Sequence, residues 1–181
     1  MSNRIEDPPD GKAEIIARYG NPDADGDMVL DAKWYADNLI VGNLPWPMRL
    51  AWTGETVKRV QAHRLVMDSL MDALYEVGKT FGLYEAGSGI GMDEVRRRNW
   101  DMWGGCFNFR YMRQYPALSV HSWGAAVDIC PDLGRQGHRE DIATFPRAYV
   151  DAFRSRGWDW GGAWGEQWLA DAMHFQAVTG Y

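Results

Sequence analysis

Ser119-Val120-His121-Ser122-Trp123-Gly124-Ala125-Ala126-Val127-Asp128-Ile129 decides how the second half of this chain is built. His121 and Asp128 are seven residues apart. On a single strand that spacing puts their side chains on opposite faces, because the side-chain period is two. On one continuous helix they share a face but lie about 10 Å apart, too far for both to reach one ion. The segment therefore has to bend. Gly124 permits the bend, since it accepts backbone angles closed to other residues. The expected result is a loop histidine followed by an aspartate on a buried strand, with Ala125 and Ala126 leaving room for close packing behind.

A second polar cluster follows, Asp171-Ala172-Met173-His174-Phe175-Gln176. The two clusters hold two imidazoles and two carboxylates, in a chain with four histidines in all. Those are the parts of a catalytic zinc site: three protein ligands and a base for water. Taken alone, each fragment has a plainer explanation. Asp128 within Ala-Val-Asp-Ile is expensive to bury unless paired or bound to a cation, but a turn carboxylate bonded to backbone also meets that need. His174 between Met173 and Phe175 fits a satisfied core histidine. Asp171 changes the balance, because one helical turn or tight loop brings residues three apart together. A carboxylate in that position can accept a proton from water without being a ligand itself.

Outward from these clusters, the texture from Gly82 on is short apolar runs separated by glycines. Gly104–Arg110, Ala125–Ile129 and Met173–Val178 are expected as strands of one small antiparallel sheet. Thr144-Phe145-Pro146 opens a helix with proline in its first turn, and Gly157 follows its end. Upstream, residues 1–10 are expected to be a disordered lead. Lys12–Tyr19 is expected as a short helix closed by Gly20. Asp23–Asp27 is a polar loop whose spacing does not continue as an EF-hand. Leu44-Pro45-Trp46-Pro47 is extended, as its prolines require. Thr56–Thr80 is expected as one long helix, with Val57, Val60, Leu65, Leu70, Leu74 and Val77 on one stripe and His63 as a surface or satisfied core histidine. The fold class is α+β: a disordered lead 1–10, then a single domain 11–181 with a helical part 11–82 and a site-bearing part 83–181.

Composition narrows the partners. A net charge of −6 argues against a phosphate-backbone partner, and the basic run Arg96-Arg97-Arg98 fits a solvated helix face, so no nucleic acid is expected. No apolar stretch approaches about 18 residues and no secretory h-region opens the chain, so membrane insertion and a Sec address are not expected. Synthesis in the cytoplasm follows from that expectation. Cys106 and Cys130, the two cysteines, are expected as free buried thiols, because a chain of 181 residues has core enough without a bridge. The ten tryptophans are expected mostly in the core, with a few lining a groove.

Ser119-x-His121-x-x-Gly124-x-Ala126-x-Asp128, followed by Trp-Gly elements and Asp171-x-x-His174-Phe175, resembles the signature of the M15 zinc peptidases. These are D-alanyl-D-alanine carboxypeptidases and dipeptidases, and phage L-alanyl-D-glutamate endolysins. The resemblance runs from Gly104 to Gln176. It implies an M15/hedgehog-like peptidase fold, Zn2+ held by His121, Asp128 and His174, and Asp171 as the acid/base. The family often has Glu in that last role, and the endolysin branch is closer to this chain in using Asp. The resemblance also implies an arginine on the strand before the first ligand. Arg110 fits that position, with Arg113 as the alternative, and a fixed cation is a strong stabiliser of a developing oxyanion. Ser119 matches the leading serine and is expected to bond substrate. Residues 1–80 match no functional pattern. Gly157–Gly165 departs in order from the family's Gly-Gly-Asp-Trp element, so Asp159 and Glu166 stand as alternative carboxylates.

The implied activity is cleavage of a peptide bond in the peptidoglycan stem by a monomeric zinc hydrolase. A phage endolysin released by a holin-type step, or a virion-delivered lysin, fits the missing leader. The alternatives are a D-Ala-D-Ala carboxypeptidase, an intracellular muropeptide peptidase, and an inert zinc-containing wall-binding or structural module. Intact Asp171 and Arg110 count against the last, because a pure binder needs neither.

Overall fold

A computed structural model describes residues 3–112, 115–165 and 170–180. The elements run α1 (Gly11–Tyr19), α2 (Ala32–Asn38), β1 (Leu39–Leu50), β2 (Thr56–His63), α3 (Met67–Thr80), α4 (Gly91–Arg97), β3 (Met102–Gly105), β4 (Ala126–Ile129), α5 (Arg147–Arg154), β5 (Asp159–Trp160) and β6 (His174–Gln176). One six-stranded sheet has the order β2-β1-β3-β4-β6-β5. The class is α+β. The strands expected from sequence, β3, β4 and β6, pair antiparallel as expected, and β1, which was not expected among them, adds the one parallel pairing in the described sheet through Arg49–Met102 and Leu50–Trp103.

The expected long helix over 56–80 divides in two. Its first third is β2, paired antiparallel with β1 from Leu39–His63 to Arg49–Thr56. Thr56, Val57 and Val60 are β-branched and suit a pleated surface better than a helix. The turn Ala51–Thr53 and Gly54 supply the hairpin that lets them pair. Leu65, counted on the helical stripe, is exposed. The true helix α3 keeps the rest of that stripe, with Leu70, Leu74 and Val77 fully buried. β1 slips register between Asn43 and Met48, where Pro45 and Pro47 cannot donate to the ladder.

The helices cover the sheet and bond to it. Trp46 on β1 donates its indole N–H to the Leu74 carbonyl at 2.8 Å, and Trp158 donates to Ser69 Oγ at 3.0 Å. Arg49 closes a two-bond fork on the fully buried Asp101 carboxylate, at 2.7 and 2.6 Å, which ties β1 to the residue before β3. Within residues 3–10, the segment expected as a disordered lead, Ile5 and Pro9 are buried and the other side chains are exposed or partly so. Ile5 is buried, its N–H donates to the Arg156 carbonyl at 2.8 Å, and Thr179 N–H donates to the Pro9 carbonyl at 2.9 Å.

His63, at the end of β2, is a satisfied core histidine. Its Nε2 lies 3.2 Å from the Tyr19 carbonyl and its Nδ1 accepts from Leu65 N–H at 3.2 Å. Burial pushes its pKa down to about 4, against a smaller opposing effect of the Tyr19 carbonyl. Cys106 and Cys130 are free and buried, and burial raises both thiols well above their ordinary range.

Candidate metal centre

The bend required between His121 and Asp128 is a 3-10 turn, Val120–Trp123, closed by Gly124 in the left-handed conformation at φ +62°. A β-carbon at Gly124 would lie 2.9 Å from the His63 backbone nitrogen, so both the angle and the space favour glycine. Beyond it Ala125 and Ala126 are fully buried, and β4 begins. β4 and β6 pair antiparallel, with Asp128 directly opposite His174. Paired residues on neighbouring strands point to the same face, so the sheet itself aims these two side chains together.

His121, Asp128 and His174 each offer a ligand atom, and these atoms lie within 4.8 Å of one another. His121 Nε2 is 3.3 Å from Asp128 Oδ2, and His174 Nδ1 is 3.0 Å from Asp128 Oδ1. Neighbouring ligand atoms around a tetrahedral zinc with bonds of about 2.0–2.1 Å are about 3.3 Å apart. Each imidazole is oriented by its other nitrogen. His121 Nδ1 lies 2.6 Å from the Cys106 carbonyl, which can only accept, so Nδ1 carries the proton and Nε2 a lone pair. His121 Nε2 is buried and makes no hydrogen bond among the described residues. Lone pairs converging on a carboxylate need a proton or a cation among them. The donor set, two imidazoles and one carboxylate, is one that suits zinc. Burial alone would raise the Asp128 carboxyl, but positive charge beside it, on the His121 imidazole first and then on His174, overcomes burial and holds it far below the ordinary range, as a cation held between the three side chains would. Burial opposes protonation of His174, and Asp128, with help from Asp171 and Gln176, raises its pKa nevertheless.

Asp171 is joined to His174 by a tight turn, His174 N–H donating to the Asp171 carbonyl at 3.1 Å. Its backbone is held by Gly161, which accepts from Asp171 N–H at 3.1 Å and where a β-carbon would lie 2.4 Å from the Asp171 carbonyl oxygen. Gly161 thus lets Asp171 come close to the chain just after β5, while Gly162 makes room for the Trp160 ring. Asp171 is buried and near enough for its charge to act on His174. Trp164 packs against His174 at 5.6 Å between ring centroids. Its indole N–H donates to one oxygen of the Asp159 carboxylate at 2.8 Å.

The strand expected over Gly104–Arg110 ends at Gly105. Arg110 lies in the irregular segment beyond, bound back to the His121 turn. Its N–H donates to Ser122 Oγ at 3.0 Å, and its carbonyl accepts from Ser122 Oγ at 2.8 Å and from Ser119 N–H at 2.9 Å. The guanidinium reaches the Tyr111 carbonyl at 3.4 Å, and no described bond brings it to the three ligand atoms. Ser119 is buried at the start of the turn. Arg113 and Glu166 lie outside the described residues. A second acidic group, Asp23, Asp25 and Asp27, gathers on the polar loop, where Asp23 accepts from the Tyr111 hydroxyl at 3.0 Å and from Met28 N–H at 3.2 Å. Ser122, the Cys106 carbonyl and Trp164 support the centre without any role assigned from sequence. Only Ser122, inside the first motif, carried a signal that could have found it.

Among the described residues no helix is long and apolar enough to cross a membrane. No curated protein and no solved structure matches the chain. Residues 113–177 match a family model described as D-alanyl-D-alanine carboxypeptidase, a span that contains His121, Asp128, Asp171 and His174. That match agrees with the signature in the two clusters and supports an M15 family peptidase.

Proposed function

We propose that this protein is a zinc-dependent peptidase that hydrolyses a peptide bond in the peptidoglycan stem, acting as a phage endolysin or virion-associated lysin. The observation that carries the reading is the convergence of His121, Asp128 and His174, with Asp171 one turn from His174. Zinc, when bound, supplies Lewis-acid polarisation of the scissile carbonyl and of the attacking water. Asp171 takes the proton of that water and returns it to the leaving amine, so the nitrogen departs neutral. Arg110 or Arg113 places a permanent positive charge beside the developing oxyanion. Ser119 bonds the substrate, and the Trp164 ring forms a wall beside His174. Aspartate rather than glutamate at position 171 favours the endolysin branch of the resemblance.

A second reading, a carboxypeptidase trimming terminal D-alanine, is favoured by the description of the matching family model. Mass spectrometry of peptidoglycan digested by the zinc-loaded protein separates the two. An endopeptidase leaves new internal termini in the stem, a carboxypeptidase releases free D-alanine, and no product from several wall types overturns both.

A further inference from the structure

His174 and Gln176 stand two apart on β6, so their side chains share one face. Gln176 is 2% exposed. Its amide nitrogen donates to the Val178 carbonyl at 3.4 Å, and its Oε1 lies 3.1 Å from His174 Nε2. The Val178 carbonyl can only accept, so it decides which end of the amide turns towards it. The amide oxygen is thereby left facing His174, and an oxygen there requires that Nε2 carry the proton. In the neutral ring, the form a metal ligand must take, Nδ1 then holds the lone pair, and Nδ1 is the nitrogen 3.0 Å from Asp128 Oδ1. At His121 a backbone carbonyl protonates the opposite nitrogen, Nδ1. The two imidazoles are thus prepared to present different nitrogens to one point.

We propose that Gln176 is a positioning residue: it relays the polarity of the Val178 carbonyl to His174, fixing the tautomer that offers Nδ1 as a metal ligand. The inference rests on the zinc reading of the site. β6 lies between β4 and β5, with Gln176 opposite both Ala126 and Asp159, so the backbone carrying this relay is paired on both sides. A buried amide serving only to fill the core would affect folding but not metal affinity.

The test is zinc affinity, measured by competition with a chromophoric chelator for the wild type, Gln176→Met and Gln176→Glu, with folding of each metal-free chain checked by circular dichroism. Methionine keeps the length and removes the acceptor, and should weaken zinc binding about 10- to 100-fold. Glutamate keeps an acceptor and should hold zinc within a few-fold of wild type. A folded Gln176→Met chain with wild-type affinity, or a Gln176→Glu chain as weak as Gln176→Met, overturns the inference. Nitrogen-15 spectra of the zinc-loaded wild type need no variant to fold: His174 should show a proton on Nε2, and a proton on Nδ1 overturns the proposal. A wild-type chain that takes up no zinc refutes the reading of the site itself, whereas zinc uptake indifferent to Gln176 refutes only the relay.

Discussion

His174 and Asp128 face each other as direct partners across β4 and β6, with Nδ1 3.0 Å from Oδ1. A lone pair and a carboxylate held that close need a proton or a cation between them, a place that a proton on His174 fills in the metal-free site and that a bound metal would take over. Zinc at about 1,000 times its dissociation constant should therefore stabilise the wild type by about 4 kcal/mol. For a chain of this size that raises the melting temperature by roughly 10 °C. Asp128→Asn, which loses the anionic ligand, should melt at the same temperature with and without zinc. Calorimetry with zinc and with chelator measures both.

Asp171 sits beside the centre rather than among the three ligand atoms. Asp171→Asn should keep zinc at the wild-type level and lower turnover by about 100-fold or more, the usual worth of a positioned general base. Metal analysis and release of amino termini from peptidoglycan, made on the same preparation, check the two halves. Near-normal turnover would remove Asp171 from the acid/base role.

His63 gives the fold a pH dependence separable from the metal centre. It is neutral when folded, with a pKa near 4, while an unfolded histidine titrates near 6.5. As pH falls from about 6.5 through about 4, the unfolded chain takes up a proton that the folded chain refuses, so stability is lost across that window. The loss is about 2 kcal/mol at pH 5 and about 3 kcal/mol when complete. His63→Gln has no proton to gain. Urea unfolding in chelator at pH 7 and pH 5 should show the wild type losing about 2 kcal/mol more than the variant.

Gly124 carries the bend between the two ligands of the first motif. Gly124→Ala imposes a side chain at φ +62° and a contact of 2.9 Å with the His63 backbone nitrogen. It should cost about 1–3 kcal/mol and weaken zinc binding, because the 3-10 turn that orients His121 ends there. Denaturant midpoints together with chelator competition test this.

The convergence of His121, Asp128 and His174 was the most legible part of this chain, because its geometry follows from short-range rules. A spacing of seven cannot serve one ion without a bend, and Gly124 marks the bend. Three residues across a turn bring Asp171 to His174. The support around the centre was less legible, since it comes from partners distant in sequence or from backbone. No pattern announces that the Cys106 carbonyl orients His121, or that Ser122 ties Arg110 to the turn. The first half misled where one apolar stripe ran through two elements. Val57 and Val60 fit helical steps towards Leu70, yet the hairpin turn at Ala51–Gly54 folds them onto β1. The burial of Ile5 carried no local signal either, since its backbone partner, the Arg156 carbonyl, is far along the chain.

The central claim is that His121, Asp128 and His174 together hold one zinc ion. Zinc content per chain, measured on purified wild type and His121→Ala after dialysis against trace zinc, tests it most directly. The account predicts about one zinc in the wild type and a substoichiometric residue in a still-folded variant. Equal zinc in both would contradict it.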